Sequence, residues 1–118
     1  MIFSTAMTKP KNLPWKRDEL ILALELYLQE GTLSASDQRV RDLSDELSEL
    51  GIYSSELQKH NHRSPAAIQM NLRRFAGADP NSDKSGRDRG GAELKKVWAE
   101  FDGDAAAVQT AAKKIRQK

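Results

Sequence analysis

The sequence predicts an all-α protein: a single compact domain of about five helices with a long basic loop between the third and the fourth. Apolar residues recur at helical spacing in five segments, residues that start or stop helices flank most of them, and no segment reads as a strand. The length of 118 residues fits one domain. Residues 1–14, which show no periodicity, are predicted to be a flexible tail, and residues 15–118 to be the helical domain.

The first predicted helix covers residues 16–30 and is expected to be the central one. Asp18 and Glu19 suit the positive end of its dipole. Across residues 20–28 every residue except Glu25 is apolar. A helix that is apolar on most of its sides is surrounded by the others.

The second predicted helix covers residues 37–50, with Ser36 as its N-cap and Gly51 after its end. Its buried stripe is formed by Val40, Leu43, Leu47 and Leu50. Its outer face is acidic, with Asp42, Asp45, Glu46 and Glu49. We expect this acidic face to point away from any nucleic acid.

The third predicted helix, residues 65–76, has the clearest start in the chain. Ser64 suits the N-cap, Pro65 suits the first helical position, and Gly77 suits the end. The side expected to meet the core carries Ile68, Leu72 and Phe75. The opposite arc carries Ala66, Met70, Arg73 and Arg74, with Ala67 and Gln69 beside it.

This opposite arc has the residue types that read duplex DNA. Arginine forks suit guanine edges, Gln69 suits adenine edges, and Met70 can lie against a pyrimidine methyl group. Arg63, Ser64 and the free amides at the helix start can hold a backbone phosphate. An amphipathic helix with surface arginines also occurs in proteins of every kind, so an ordinary surface helix stays open as the alternative.

The loop over residues 78–91 is polar and rich in glycine. Its basic residues Lys84, Arg87 and Arg89 can follow phosphates, although a solvated linker has the same composition. Helices are predicted for residues 92–101 and, after the N-cap Asp104, for residues 105–116. Their inward residues are predicted to be Leu94, Val97, Trp98 and Phe101, then Val108, Ala111, Ala112 and Ile115.

Charge is distributed unevenly along the chain. Residues 16–58 carry 4 basic and 10 acidic residues, whereas residues 59–90 carry 7 basic and 3 acidic residues. This asymmetry favours one face that meets a polyanion, with ordinary mixed surface charge as the alternative.

Several classes of protein are disfavoured. The chain has no cysteine, which excludes disulfides and thiolate metal sites and suits a reducing cytoplasm, and it has no membrane-length apolar run. His60 and His62 stand without a suitable acidic partner, so a metal site is not expected. No catalytic constellation and no cofactor motif is visible. We therefore expect a binding module that is not an enzyme and needs no cofactor.

Four segments occur in an order that resembles one family. WKRDELILAL, RSPAAI, DP and VWAEF, at residues 15–24, 63–68, 79–80 and 97–101, resemble the N-terminal domain of McrA-type HNH endonucleases. Those domains are helical, precede a zinc-containing HNH nuclease domain and recognise DNA that carries modified cytosine. Asn71 and Arg74 depart from the residues that relatives often have there, so the preferred base and flanking sequence do not carry over.

The resemblance implies the specificity domain of a modification-dependent restriction system, which senses 5-methylcytosine or 5-hydroxymethylcytosine in double-stranded DNA. Its implied partners are that DNA and an HNH nuclease domain in the same chain or another one; a homodimer stays open, and no membrane is expected. A helical protein-interaction domain with an acidic partner, or a reader of another modification such as a phosphorothioate backbone, are the alternatives. The residues predicted to contact DNA are Arg63, Ser64, Ala66, Ala67, Gln69, Met70, Arg73, Arg74, Lys84, Arg87 and Arg89.

Overall fold

The computed structural model describes residues 14–52, 63–86 and 91–117, and within these residues the chain forms helices and no strand. The all-α prediction is confirmed, and each predicted helix is found within two residues of its predicted ends. The helices are α1 (Arg17–Glu30), α2 (Gln38–Glu49), α3 (Pro65–Ala78), α4 (Ala92–Phe101) and α5 (Ala105–Arg116).

Helix α1 lies at the centre, as its apolar composition predicted. It packs against each of the other four helices, which follow one another around it: α2 packs against α3, α3 against α4, and α4 against α5. Within the described residues, no Cα atom of α2 lies within 8 Å of one in α4 or α5. Helix α3 therefore lies between α2 and α4, and a gap separates α2 from α5.

Two of the three predicted N-cap residues are confirmed, and one prediction is wrong. Ser64 and Asp104 cap α3 and α5 as predicted, each accepting a hydrogen bond from a backbone N–H of the first turn. The N-cap of α2 is Asp37 and not Ser36: the Asp37 carboxylate accepts from the Arg39 amide at 2.9 Å. The Ser36 hydroxyl instead pairs with another serine hydroxyl at 2.9 Å, so it is not turned to the helix.

The connection after α3 begins as a series of hydrogen-bonded turns. Helix α3 runs one residue past the predicted stop at Gly77, to Ala78. The chain then folds back, because the Gly86 amide donates to the Gly77 carbonyl at 2.8 Å. Arg87 and Arg89 lie outside the described residues, so the predicted long basic loop stays a prediction. The predicted tail before Pro14 and the residues His60 and His62 also lie outside the described residues.

Candidate nucleic-acid interface

Polar contacts join α1 and α3 start to start and end to end, so the two helices run in the same direction. At their starts, Arg63 donates from Nε and Nη2 to the two carboxylate oxygens of Glu19 at 2.6 and 2.8 Å. At their ends, the Tyr27 hydroxyl donates to Asp79 at 2.7 Å. The apolar side of α3 fills the space between these contacts, with Ile68, Leu72 and Phe75 fully buried. The direction in which α3 presents its outer face is therefore fixed by α1.

Arg63 is an interior residue, which corrects its assignment as a phosphate contact. It is 5% exposed, its guanidinium also donates to the Pro14 carbonyl at 2.8 Å, and it lies over the Trp15 ring at 4.7 Å from the centroid. Its backbone has a positive φ of 51°, and its carbonyl accepts from the Ser44 hydroxyl at 2.7 Å. Arg63 therefore sets the position of the start of α3 and has no free donor face to offer a phosphate in this structure.

The outward face of α3 is the one that its sequence pattern predicted. Ala66, Met70 and Arg73 are exposed, and Ala67, Gln69 and Arg74 are partly buried beside them. Met70 is 49% exposed and is the large hydrophobic side chain that the described surface leaves open. Arg73 makes no ion pair with any described residue, and α3 contains no acidic residue. This face, here called the α3 face, is thus cationic with an apolar centre.

Asn71 is on the inner side of α3. It is 4% exposed, so its side chain belongs to the packing between helices and not to the α3 face. Arg74 is partly buried at the edge of the face and interacts with another residue.

The start of α3 offers fewer free amides than predicted. Pro65 has no N–H, and the amides of Ala67 and Ile68 donate to the side chain and the carbonyl of Ser64, at 3.3 and 3.1 Å. Of the first four residues of α3, only Ala66 keeps an amide without a protein acceptor. A phosphate at this helix start would meet one N–H group there.

Lys84 is exposed beyond the end of α3. Its backbone amide donates to the Ser82 hydroxyl at 3.0 Å within the turns that follow the helix, and its side chain makes no ion pair with described residues. Lys84 thus places one cation past the C-terminal end of the α3 face, in a segment that also carries Asp79 and Asp83. Arg87 and Arg89, predicted to act with it, are not among the described residues.

The acidic face of α2 lies on the opposite flank of that helix from α3. A groove of about 460 Å³ opens between α1 and α2, on the side of the gap toward α5. Arg116 reaches across the gap, donating to Glu46 at 2.6 Å and to Glu25 at 2.8 Å. The carboxylates that line the groove are Glu25, Asp42, Asp45, Glu46 and Glu49. The cations Arg39 and Arg116 also line the groove, so its five carboxylates outnumber its cations.

Within the described residues, no three His, Asp or Glu side chains are placed to hold a metal ion. None of the helices that the structure describes is long and apolar enough to cross a membrane.

No family model, curated protein or solved structure matches this chain. The fold and the surface define its class: a helical domain wrapped around a central helix, with an acid-free cationic face on its third helix. The resemblance to McrA-type N-terminal domains accordingly depends on four short segments and stays a prediction.

Proposed function

We propose that this domain binds double-stranded DNA through the α3 face and prefers duplexes that carry modified cytosine, as the specificity module of a modification-dependent restriction system. The observation that carries the proposal is the composition of that face. Met70 is exposed at its centre, Arg73 is exposed beside it without an ion pair to any described residue, and the helix carries no carboxylate. A single exposed apolar side chain is ordinary at a protein surface, so the proposal depends on its position beside a cation on a helix that carries no carboxylate.

The dimensions of α3 fit the proposed partner. Its 14 residues make a rod about 21 Å long, and a major groove about 12 Å wide accepts an α-helix. The small side chain of Ala66 lets the first turn approach the bases closely. In this arrangement Arg73 supplies a hydrogen-bonding fork for a guanine edge or a phosphate.

Met70 is the proposed reader of the cytosine modification. The 5-methyl group of cytosine projects into the major groove, where the thymine methyl group lies in an A·T pair. Burying one methyl group against an apolar side chain is worth about 1 kcal/mol, or about 5-fold in affinity. Phosphate contacts must then supply most of the affinity and the methyl contact the preference.

The positions of the aromatic rings favour recognition of the modified cytosine within the duplex, without extrusion of the base. Tyr27, Phe75 and Trp98 pack against one another with centroids 6.2 to 6.4 Å apart, and Trp15 lies under Arg63. A pocket for an extruded base would need such rings at the surface. The proposal is therefore readout from the groove.

A second candidate is a helical interaction domain for an acidic protein segment, because Met70 beside Arg73 would also suit an amphipathic acidic helix. The two candidates differ in their response to duplex DNA. A DNA-binding face prefers a duplex over an acidic peptide of equal charge, and a peptide-binding face shows the reverse.

The test is a fluorescence anisotropy titration of the whole chain with duplexes of one sequence whose cytosines are unmodified, 5-methylated or 5-hydroxymethylated. A fourth duplex carries a phosphorothioate backbone. We expect tighter binding to a duplex with modified cytosine and a steep loss of affinity with salt. Equal affinity for the three cytosine forms would overturn the modification preference, and no binding to any duplex at low salt would overturn DNA binding.

Arg73→Ala tests the face itself. We expect weaker DNA binding by about 5- to 10-fold at 0.1 M salt and an unchanged helical circular dichroism signal, because Arg73 is exposed and pairs with no carboxylate among the described residues. Lys113→Ala is the matched control: Lys113 is an exposed cation on α5, which does not pack against α3. Equal effects of the two substitutions would show that the α3 face is not the binding surface.

A further inference from the structure

The two helices that flank α3 each carry an exposed cation that the sequence did not single out. Helix α3 lies between α2 and α4, so a duplex docked on the α3 face also meets the outer edges of these neighbours. Neighbouring helix axes are about 8 to 10 Å apart, so the axes of α2 and α4 are at most about 16 to 20 Å apart across α3. A major groove is about 12 Å wide, so a duplex whose groove holds α3 brings one phosphate backbone toward α2 and the other toward α4.

On α2 the cation is Arg41. Ser44, whose hydroxyl donates to the Arg63 carbonyl at 2.7 Å, marks the flank of α2 that meets the start of α3. Arg41 is one turn earlier, at the outer edge of that flank. Arg41 is exposed and makes no ion pair within the described residues. Asp45, one turn after Arg41, is on the same side of α2 at the border of the acidic groove, but the two side chains form no ion pair in the part of the chain that the structure describes.

On α4 the cation is Lys95. The Trp98 ring packs against Phe75 of α3 with centroids 6.4 Å apart, which marks the flank of α4 that meets α3. Lys95 is three residues earlier, at the outer edge of that flank, and is exposed without an ion pair in the described residues. The acidic residue Glu100 is on the other flank of α4, where it pairs with Arg17 of α1.

We propose that Arg41 and Lys95 bind phosphates of the two opposite DNA strands and so hold α3 in the groove from both sides. This inference rests on the proposed DNA binding and adds to it the residues that supply affinity. Because phosphates are the same for every base sequence, these contacts contribute equally to modified and unmodified duplexes. Base preference is left to the α3 face.

The experiment measures the salt dependence of the affinity of the whole chain for one modified and one unmodified duplex. It compares the wild type with Arg41→Ala, Lys95→Ala, the double variant and the control Lys113→Ala. Each phosphate contact contributes about 0.9 to the slope of log K against log salt. We expect each single substitution to lower the slope by about 0.9 and the affinity at 0.1 M salt by about 5- to 10-fold, and the double variant to lower the slope by about 1.8. The ratio between the two duplexes should not change.

The outcomes separate this inference from the proposed function. If both single variants bind with the affinity and the salt slope of the wild type, as the control does, the proposed roles of Arg41 and Lys95 are wrong. DNA binding by α3 would remain in place. A change in the ratio between the two duplexes would overturn their assignment as phosphate contacts. A wild type that binds neither duplex would overturn the proposed function, and this inference with it.

Discussion

Glu19 and Arg63 form a buried ion pair between residues that are 44 positions apart in the sequence. The two side chains are 0% and 4% exposed, and the two hydrogen bonds between them join the first turn of α1 to the residue before the N-cap of α3. The pair therefore holds the start of the helix that we propose to read DNA.

Removing one partner of this pair should be costly. Arg63→Met leaves the Glu19 carboxylate buried without its cation, and we expect the free energy of unfolding to fall by about 3 to 5 kcal/mol. Adding Glu19→Leu should recover part of that loss, because two apolar side chains need not be desolvated as ions. Urea denaturation of the wild type, the single variant and the double variant measures both effects. A loss below about 1 kcal/mol for Arg63→Met would contradict the burial of the pair.

Tyr27 and Asp79 join the opposite ends of the same two helices and make stability depend on alkaline pH. Burial, and then the hydrogen bond to the Asp79 carboxylate, raise the pKa of the Tyr27 hydroxyl above its ordinary value. The folded protein therefore keeps the phenol protonated at pH values where the unfolded chain ionises it. Stability from this contact is fully present below about pH 10 and is lost as the pH rises further.

Tyr27→Phe tests this dependence. We expect a loss of about 1 to 2 kcal/mol at neutral pH, because the hydrogen bond to a charged acceptor disappears. The difference between wild type and variant should shrink as the pH rises above about 10. Thermal denaturation at pH 7 and at two alkaline pH values measures it; a difference that stays constant would refute the raised pKa.

Local patterns predicted the helices because the physics of each helix end and each apolar stripe is local. Ser64 followed by proline marks the start of α3, and Ile68, Leu72 and Phe75 at helical spacing mark its inner side. The contact between Glu19 and Arg63 could not be predicted this way. Each suits a local role, Glu19 at a helix dipole and Arg63 beside a phosphate, and only tertiary packing turns them toward each other.

The four segments that resemble McrA-type domains supply residues that hold the helices together. Trp15, Glu19 and Arg63 form one cluster, the Asp79 carboxylate accepts from Tyr27, and Trp98 packs against Tyr27 and Phe75. The resemblance therefore bears more directly on how the chain folds than on which base it reads. The residues of the α3 face that would read a base, Met70 and Arg73, lie outside those segments.

Met70 should determine the preference for modified cytosine without affecting stability. Met70→Ala removes the apolar contact, and we expect the affinity ratio of modified to unmodified duplex to fall by about 5-fold. Met70→Leu keeps an apolar side chain of similar volume and should retain most of the ratio. Both variants should unfold at the same urea concentration as the wild type, because Met70 is half exposed. If Met70→Ala leaves the affinity ratio of modified to unmodified duplex unchanged, another residue must recognise the modification.

Asp37 should stabilise α2 where its neighbour Ser36 does not. The Asp37 carboxylate accepts from both the side chain and the backbone amide of Arg39, and these hydrogen bonds lower its pKa below the ordinary value. We expect Asp37→Ala to lower the midpoint of thermal unfolding at pH 7 and Ser36→Ala to leave it unchanged. Because the pKa of Asp37 is lowered by folding, its contribution is present above the pKa of the unfolded carboxyl group and is lost as the pH falls through the folded one. The unfolding midpoints of wild type and Asp37→Ala should therefore converge in acid, whereas those of wild type and Ser36→Ala should coincide at every pH. A larger effect for Ser36→Ala than for Asp37→Ala would show that Ser36 is the N-cap, as the sequence alone had predicted.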